Sequence, residues 1–209
     1  MIDLYTWTTP NGRKVSIALE ELELPYTAHA VNIGDDEQFA PDFLKIAPNN
    51  KIPAIVDNDN GTAMMESGAI LLYLAKKAGK LLPSDEKARW SAIEWLMWQM
   101  GGVGPMCGQV HHFVRFNQGK SAYAEERFLN EAKRLYGVMD KRLADHEFLA
   151  GEYSVADIAT WPWISRFEWQ TIDLNEFPNV KRWYTDIANR PAVQRGYDVP
   201  KKVGDIPMP

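Results

Sequence analysis

The sequence predicts a chain in two parts, an α/β first part built on a small mixed four-stranded sheet and an all-α second part, and three observations carry that prediction. Strand and helix patterns alternate over residues 1–79. The pair Asn60-Gly61 separates two short apolar runs, the signature of a tight hairpin turn. After a polar run rich in Gly, Lys, Pro, Ser and Asp at residues 79–87, no strand pattern returns. The domains are therefore placed at residues 1–79 and 88–209.

In order along the chain, residues 2–7 read as a strand and residues 11–23 as a helix. In that helix Val15, Ala18, Leu19 and Leu22 recur at i, i+3, i+4 and i+7, which makes one apolar face. Residues 26–33 form a second strand, completing a βαβ opening. The polar stretch 34–50 carries no expected element. A strand over 52–56, the Asn60-Gly61 turn and a strand over 62–65 lead to a helix over 67–78, for which Ser67 is a candidate N-cap. Two strands joined by so short a turn must run antiparallel, so the sheet is mixed and the unit reads βαβ followed by ββα. In the second part Trp90, Ile93, Met97 and Met100 mark a long amphipathic helix, with a bend or break expected at Gly101-Gly102 and Gly104-Pro105. A helix over 123–144 turns Phe128, Ala132, Leu135, Met139 and Leu143 inward. Ser154 and Asp157 form a capping-box pattern that opens the next helix, in which Pro162 predicts a kink. A last helix, 180–189, stops before Pro191, and the proline content of 197–209 argues against regular structure.

Composition narrows the function classes. The net charge of −5 arises from 28 acidic and 23 basic residues interspersed along the chain, which leaves no basic stripe for nucleic acid or an anionic membrane. No apolar run approaches the roughly 18 residues of a membrane span, and no basic leader opens the chain, so a cytoplasmic protein is expected. The single cysteine, Cys107, admits no internal disulfide and no paired-cysteine redox motif. Redox chemistry here has to borrow a thiol.

Several motifs carry a family likeness. Ile52-Pro53-Ala54 in a strand, followed by Glu66-Ser67-Gly68 opening a helix, resembles the glutathione site of the glutathione transferases, and the stretch from Phe148 to Ile158 resembles their C-terminal-domain capping segment. Thr9-Pro10-Asn11-Gly12 with Lys14, Pro48-Asn49-Asn50-Lys51, and the run from Trp98 to Met106 continued by His111-His112-Phe113 resemble the bacterial Nu class. The likeness extends from Ile2 to about Pro191. It implies a thioredoxin-like first domain, a helical-bundle second domain and a homodimer. It also implies a disulfide-bond oxidoreductase that holds two glutathione molecules, or glutathione disulfide, without a metal. A conjugating transferase acting on small electrophiles is the alternative within enzymes; a non-catalytic ligand-binding protein on the same scaffold is the alternative outside them.

The proposed site residues follow from what the tripeptide needs. A cis Ile52-Pro53 bond would turn the Ile52 backbone outward to pair with the cysteinyl unit as an added strand does. Glu66 and Ser67, at a helix start, suit the γ-glutamyl ammonium and carboxylate, although Ser67 also reads as a plain cap. Gln38 and Asn50 or Lys51 lie on the preceding loops. Thr9 and Asn11 are the polar candidates beside the sulfur, where lowering a thiol from about 8.5 by roughly two units makes most of it thiolate; Asn11 reads equally as the helix N-cap. Arg127 is implied by the resemblance as the partner of a second glutathione, against a surface pairing with Glu131 at i+4. His111 and His112 point apart on a helix and read as packing rather than metal ligands, Cys107 as buried filler, and Asp157 as structural.

Overall fold

The computed structural model describes residues 1–209. The chain forms two compact units, Met1–Leu82 together with Asn189–Ile206, and Pro83–Ala188 together with Pro207–Pro209. The boundary read from composition accounts for the first crossover, whereas the segment after residue 188, expected with the helical part, packs in the first unit.

The first unit holds a four-stranded sheet in the order β2-β1-β3-β4. β1 (Ile2–Thr6) pairs in parallel with β2 (Tyr26–Ala30), and antiparallel with β3 (Ala54–Asp57), which pairs antiparallel with β4 (Thr62–Met65). Side chains alternate across β1 as strand geometry requires. Ile2, Leu4 and Thr6 are buried on the face carrying the helices α1 (Pro10–Glu21) and α3 (Ser67–Ala78). Tyr5 points the other way, into a cluster of Val31, Phe43, Ala47 and Ala54 with Ile46, Ile52 and Met65. That small core anchors α2 (Pro41–Ile46), which lies in the stretch 34–50 read as element-free. Six residues are too few for a periodic pattern to show, and the readable signal was a proline at a first helical position.

The first unit is completed by α9 (Pro191–Tyr197), also absent from the sequence reading. Pro191 was read as a stop, but it stands at the start of a new helix, where its missing N–H costs nothing. α9 packs along α1. Ser16 Oγ donates to the Gly196 carbonyl at 2.6 Å, Arg13 Nε donates to the Tyr197 carbonyl at 3.1 Å, and the Arg13 guanidinium lies 3.3 Å from the Tyr197 ring centroid. Arg190 holds Glu21 with two hydrogen bonds of 2.6 and 2.9 Å. The irregular chain expected at the C-terminal end follows Tyr197.

In the second unit α4 (Glu86–Trp98) is interrupted at the glycines, as expected. The backbone stays helical through a wide π-type stretch, Gln99–Val103, then α5 (Gly104–Val110) and a second π-type stretch, His111–Phe116. Gly104 serves close approach: a Cβ there would stand 2.8 Å from Gln99 Nε2 and 3.3 Å from Trp163 Nε1, whereas Gly101 has open space around it. α6 (Ala122–Ala144), α7 (Val155–Ile164) and α8 (Pro178–Ala188) complete the bundle around Leu135, Tyr136, Met139, Trp161, Ile164, Trp183 and Tyr184. The capping box at Ser154 and Asp157 is formed as read, and α7 runs on through Pro162.

Candidate functional site

Five of the nine proposed residues converge on one groove of the first unit. Thr9, Asn11, Gln38, Lys51 and Ile52 line it together with Ile33, Phe39 and Asn50, around a volume of about 390 Å³. Each comes from a different local device. Thr9, not Asn11, is the N-cap of α1: its Oγ1 accepts from the Gly12 amide at 3.2 Å. That acceptor role leaves the Thr9 hydroxyl hydrogen to donate elsewhere. The cap reading weighed for Asn11 therefore passes to its neighbour, and Asn11 stands inside the first turn. Gly12 is required here, because a Cβ would fall 2.2 Å from the Trp7 carbonyl oxygen. The helix start is thereby pressed onto the end of β1, and its amides and positive dipole end stand beside the groove.

The opposite wall comes from the loops around α2. Asn50 adopts a left-handed conformation with φ 48°, which an asparagine tolerates better than most residues. The Ile52–Pro53 bond is cis. Ile52 precedes the first paired residue of β3 and makes no backbone hydrogen bond, so its amide and carbonyl are open to an extended ligand. The Gln38 side-chain oxygen is buried and accepts no hydrogen bond within the chain. Buried polar atoms are otherwise nearly always paired, so this one is a fitting acceptor for a ligand N–H.

Pro53, Glu66 and Ser67 do not line that groove, but the hairpin brings them side by side. The β3–β4 ladder pairs Ala54 with Met65, and one further step sets Glu66 across from Pro53. Glu66, rather than Ser67, occupies the cap position of α3, with φ 71° and ψ 108°, a strained conformation for a residue with a Cβ. Ser67 is the first helical residue and 4% exposed. Its Oγ accepts from Lys14 Nζ at 3.4 Å. Lys14 was noted only as part of a motif. It is 1% exposed, and burial pulls its ammonium down to about 7 against the opposing effect of the Glu66 carboxylate. The signal was present in the sequence: Lys14 stands one turn before Ala18, on the apolar face of its helix.

Arg127 lies in the second unit, on α6, and lines a separate pocket of about 700 Å³ with Met106, Tyr123, Glu126 and Phe128. The pairing with Glu131 weighed for it is not made, since Glu131 is held by Arg134 at 2.7 and 2.8 Å. Cys107 is fully buried, and burial pushes its thiol up to about 12. His111 packs between Trp163 and Trp169, and burial, aided by Arg166 and Arg115, pulls it down to about 4. Cys107 and His111 are therefore buried packing residues as read, whereas His112, read in the same way, is exposed.

Comparison with known proteins identifies the family of both units. The model of the glutathione S-transferase N-terminal domain matches residues 4–84, and that of the C-terminal domain matches residues 101–191. The disulfide-bond oxidoreductase YfcG of Escherichia coli is 50% identical over 198 residues, spanning 92% of this chain and 92% of that protein. A glutathione transferase of Burkholderia graminis, solved with two glutathione molecules per subunit, is 45% identical with a TM-score of 0.91, over 96% of this chain and 89% of that one. One from Pseudomonas putida, solved with one glutathione disulfide per subunit, is 44% identical with a TM-score of 0.91, over 95% and 91%.

Proposed function

This chain belongs to the glutathione S-transferase family, and on that footing we propose that it is a glutathione-dependent disulfide-bond reductase. The observation that carries the reading is the state of Cys107. It is the only cysteine, it is fully buried, and its thiol is held near 12, so the protein has no thiolate of its own to offer. The nucleophile is therefore a bound glutathione. The Thr9 hydroxyl, the Asn11 amide and the start of α1 stabilise its thiolate, while Ile52, Gln38 and Lys51 hold the rest of the tripeptide and Glu66 with Ser67 its γ-glutamyl end. The thiolate attacks one sulfur of the substrate disulfide, forming a mixed disulfide and expelling the other sulfur as a thiolate that takes up a proton. A second glutathione, held by Arg127, attacks the glutathione sulfur of that mixed disulfide. It releases the second substrate thiol and leaves glutathione disulfide, so two glutathione molecules are oxidised for each disulfide reduced. The relatives solved with two glutathione molecules or one glutathione disulfide per subunit support this stoichiometry. A cytoplasmic homodimer belongs to the same reading. Trp90 and Met97, two turns apart on α4, are 61% and 47% exposed and supply an apolar stripe for self-association.

The test is steady-state reduction of hydroxyethyl disulfide by glutathione, coupled to a reductase that reports glutathione disulfide, run beside conjugation of a chlorodinitrobenzene. Turnover on the disulfide with little conjugation is expected. Cys107→Ala should retain that turnover, Asn11→Ala should lower kcat by about ten-fold or more with glutathione binding largely kept, as for loss of one oriented donor, and Arg127→Ala should weaken the second glutathione. Loss of activity in Cys107→Ala would return the chemistry to the protein thiol. Conjugation without disulfide reduction would make the chain a conjugating transferase.

A further inference from the structure

We propose that the second π-type turn, His111–Phe116, together with Trp169 forms a binding site for a small aromatic carboxylate, in which the Arg115 guanidinium holds the carboxylate and the exposed Phe116 ring takes the arene. The site lies wholly within the second unit and stands independently of the glutathione reading. It begins from the backbone. In an α-helix residues i and i+4 share a face while i+5 points away, whereas the i→i+5 bonding of a π-type turn widens the helix until i+4 and i+5 straddle i. The widening brings His111, Arg115 and Phe116 to one side, against the turn Phe167–Gln170. All three meet one indole. The His111 and Phe116 rings stand edge-on to Trp169 at centroid distances of 5.5 and 5.8 Å, and the Arg115 guanidinium lies 5.1 Å from its centre. Such wide turns are rare and recur at functional sites.

What they gather here is cationic and aromatic at once. A second guanidinium, that of Arg166, lies 4.6 Å from the same indole centre. Arginines keep their charge throughout the physiological range, so two positive charges crowd one ring. Burial and the two guanidiniums pull His111 down to about 4, so near pH 7 it is neutral and offsets nothing. Glu168, next to Trp169 in the chain, is exposed, and its carboxylate pairs with neither guanidinium. Arg115 is itself exposed and makes no ion pair, and Phe116 beside it is 64% exposed. Stacking on an indole uses the face of a guanidinium and leaves its in-plane N–H fork to meet a carboxylate through two parallel hydrogen bonds. The exposed ring next to that fork suits a flat apolar body carried by the anion. An aliphatic carboxylate would meet the fork alone and a neutral arene the ring alone; an aromatic carboxylate meets both.

The experiment is calorimetric titration of the full chain with naphthoate, with naphthylmethanol, which has the arene without the charge, and with cyclohexanecarboxylate, which has the charge without the arene. Naphthoate is expected to bind, and each of the other two to bind roughly ten-fold more weakly or worse. In Arg115→Gln the naphthoate affinity should fall roughly ten- to a hundred-fold, the effect of losing a charge-assisted contact, and in Phe116→Ala by about five-fold or more. Arg115→Lys, which keeps the charge without the planar fork, should fall between Arg115→Gln and the unaltered protein. Both side chains are exposed, so the melting temperatures of these variants should match that of the unaltered protein, which separates loss of contact from loss of fold. Absence of naphthoate binding, an affinity unchanged in Arg115→Gln or in Phe116→Ala, or equal binding of naphthylmethanol overturns the proposal.

Discussion

Replacing Asp157 by alanine tests whether the most elaborate polar constellation of the second unit is structural. The carboxylate is fully buried and accepts from the Leu149 amide at 3.0 Å, the Ser154 amide at 3.0 Å, Ser154 Oγ at 3.3 Å and Trp183 Nε1 at 2.9 Å. It thereby ties the 148–152 turn, the start of α7 and α8 into one knot. The serine hydroxyl can rotate to another acceptor, but the two amides and the indole N–H cannot. Three orphaned buried donors at about 1–3 kcal/mol each, partly relieved by water entering the vacated space, give an expected loss of roughly 3–6 kcal/mol. Against a typical total of about 5–15 kcal/mol, that takes a large share of the stability. The assay is urea unfolding followed by tryptophan fluorescence, with the loss read from the shift in midpoint at constant slope. Disulfide reductase activity per folded molecule should be unchanged, because none of the tied groups lines the groove around Thr9. A midpoint shift worth less than about 1 kcal/mol, or a fall in kcat for fully folded protein, refutes the reasoning.

Two further outcomes follow from burial in the first unit. Gly196→Ala would place a Cβ 2.6 Å from Ile17 Cα and 2.7 Å from its amide nitrogen, backbone that cannot step aside, so α9 has to lift from α1. A loss of about 1–3 kcal/mol is expected, and an unchanged melting temperature would show that the two helices do not need this contact. Lys14 titrates near 7 in the fold and near 10.4 in the unfolded chain. Between those values the unfolded state holds more protons, so this residue makes stability rise with pH through that window, by about 1 kcal/mol per unit. Urea midpoints of the unaltered protein and Lys14→Met, taken from pH 7 to 9, should converge as pH rises; parallel curves would place Lys14 in contact with water.

The elements whose residues repeat at a readable period were legible in the amino-acid order. β1, α1, the Asn60-Gly61 hairpin, α3, α6 and the Ser154–Asp157 box each declare themselves within a few residues, because backbone geometry imposes the period and local capping imposes the ends. α2 and α9 did not, since six or seven residues hold at most two turns and their evidence is the partner they bury against. At the glycines from 101 to 104 the order of residues marks where the α-helix gives way to a π-type stretch, but only the structure shows that Gly104 makes room for Gln99 and Trp163. Thr9 and Asn11 show the same limit at the site. Both types cap helices, and only the Gly12 amide chose between them.

What the order of residues determined by itself is the mixed sheet with its helical companion, the loops that carry Thr9, Asn11, Gln38, Lys51 and Ile52, and the lack of any thiol besides Cys107. Only the tertiary structure decided that those loops close on one groove, that Asn189–Ile206 returns to pack on α1, and that Lys14 lies sealed behind Ser67. The division has a physical cause. Periodicity and capping act over one or two turns of chain, whereas burial, and the protonation and partners it dictates, depend on residues 53 positions apart for Lys14 and Ser67, or 184 for Arg13 and Tyr197.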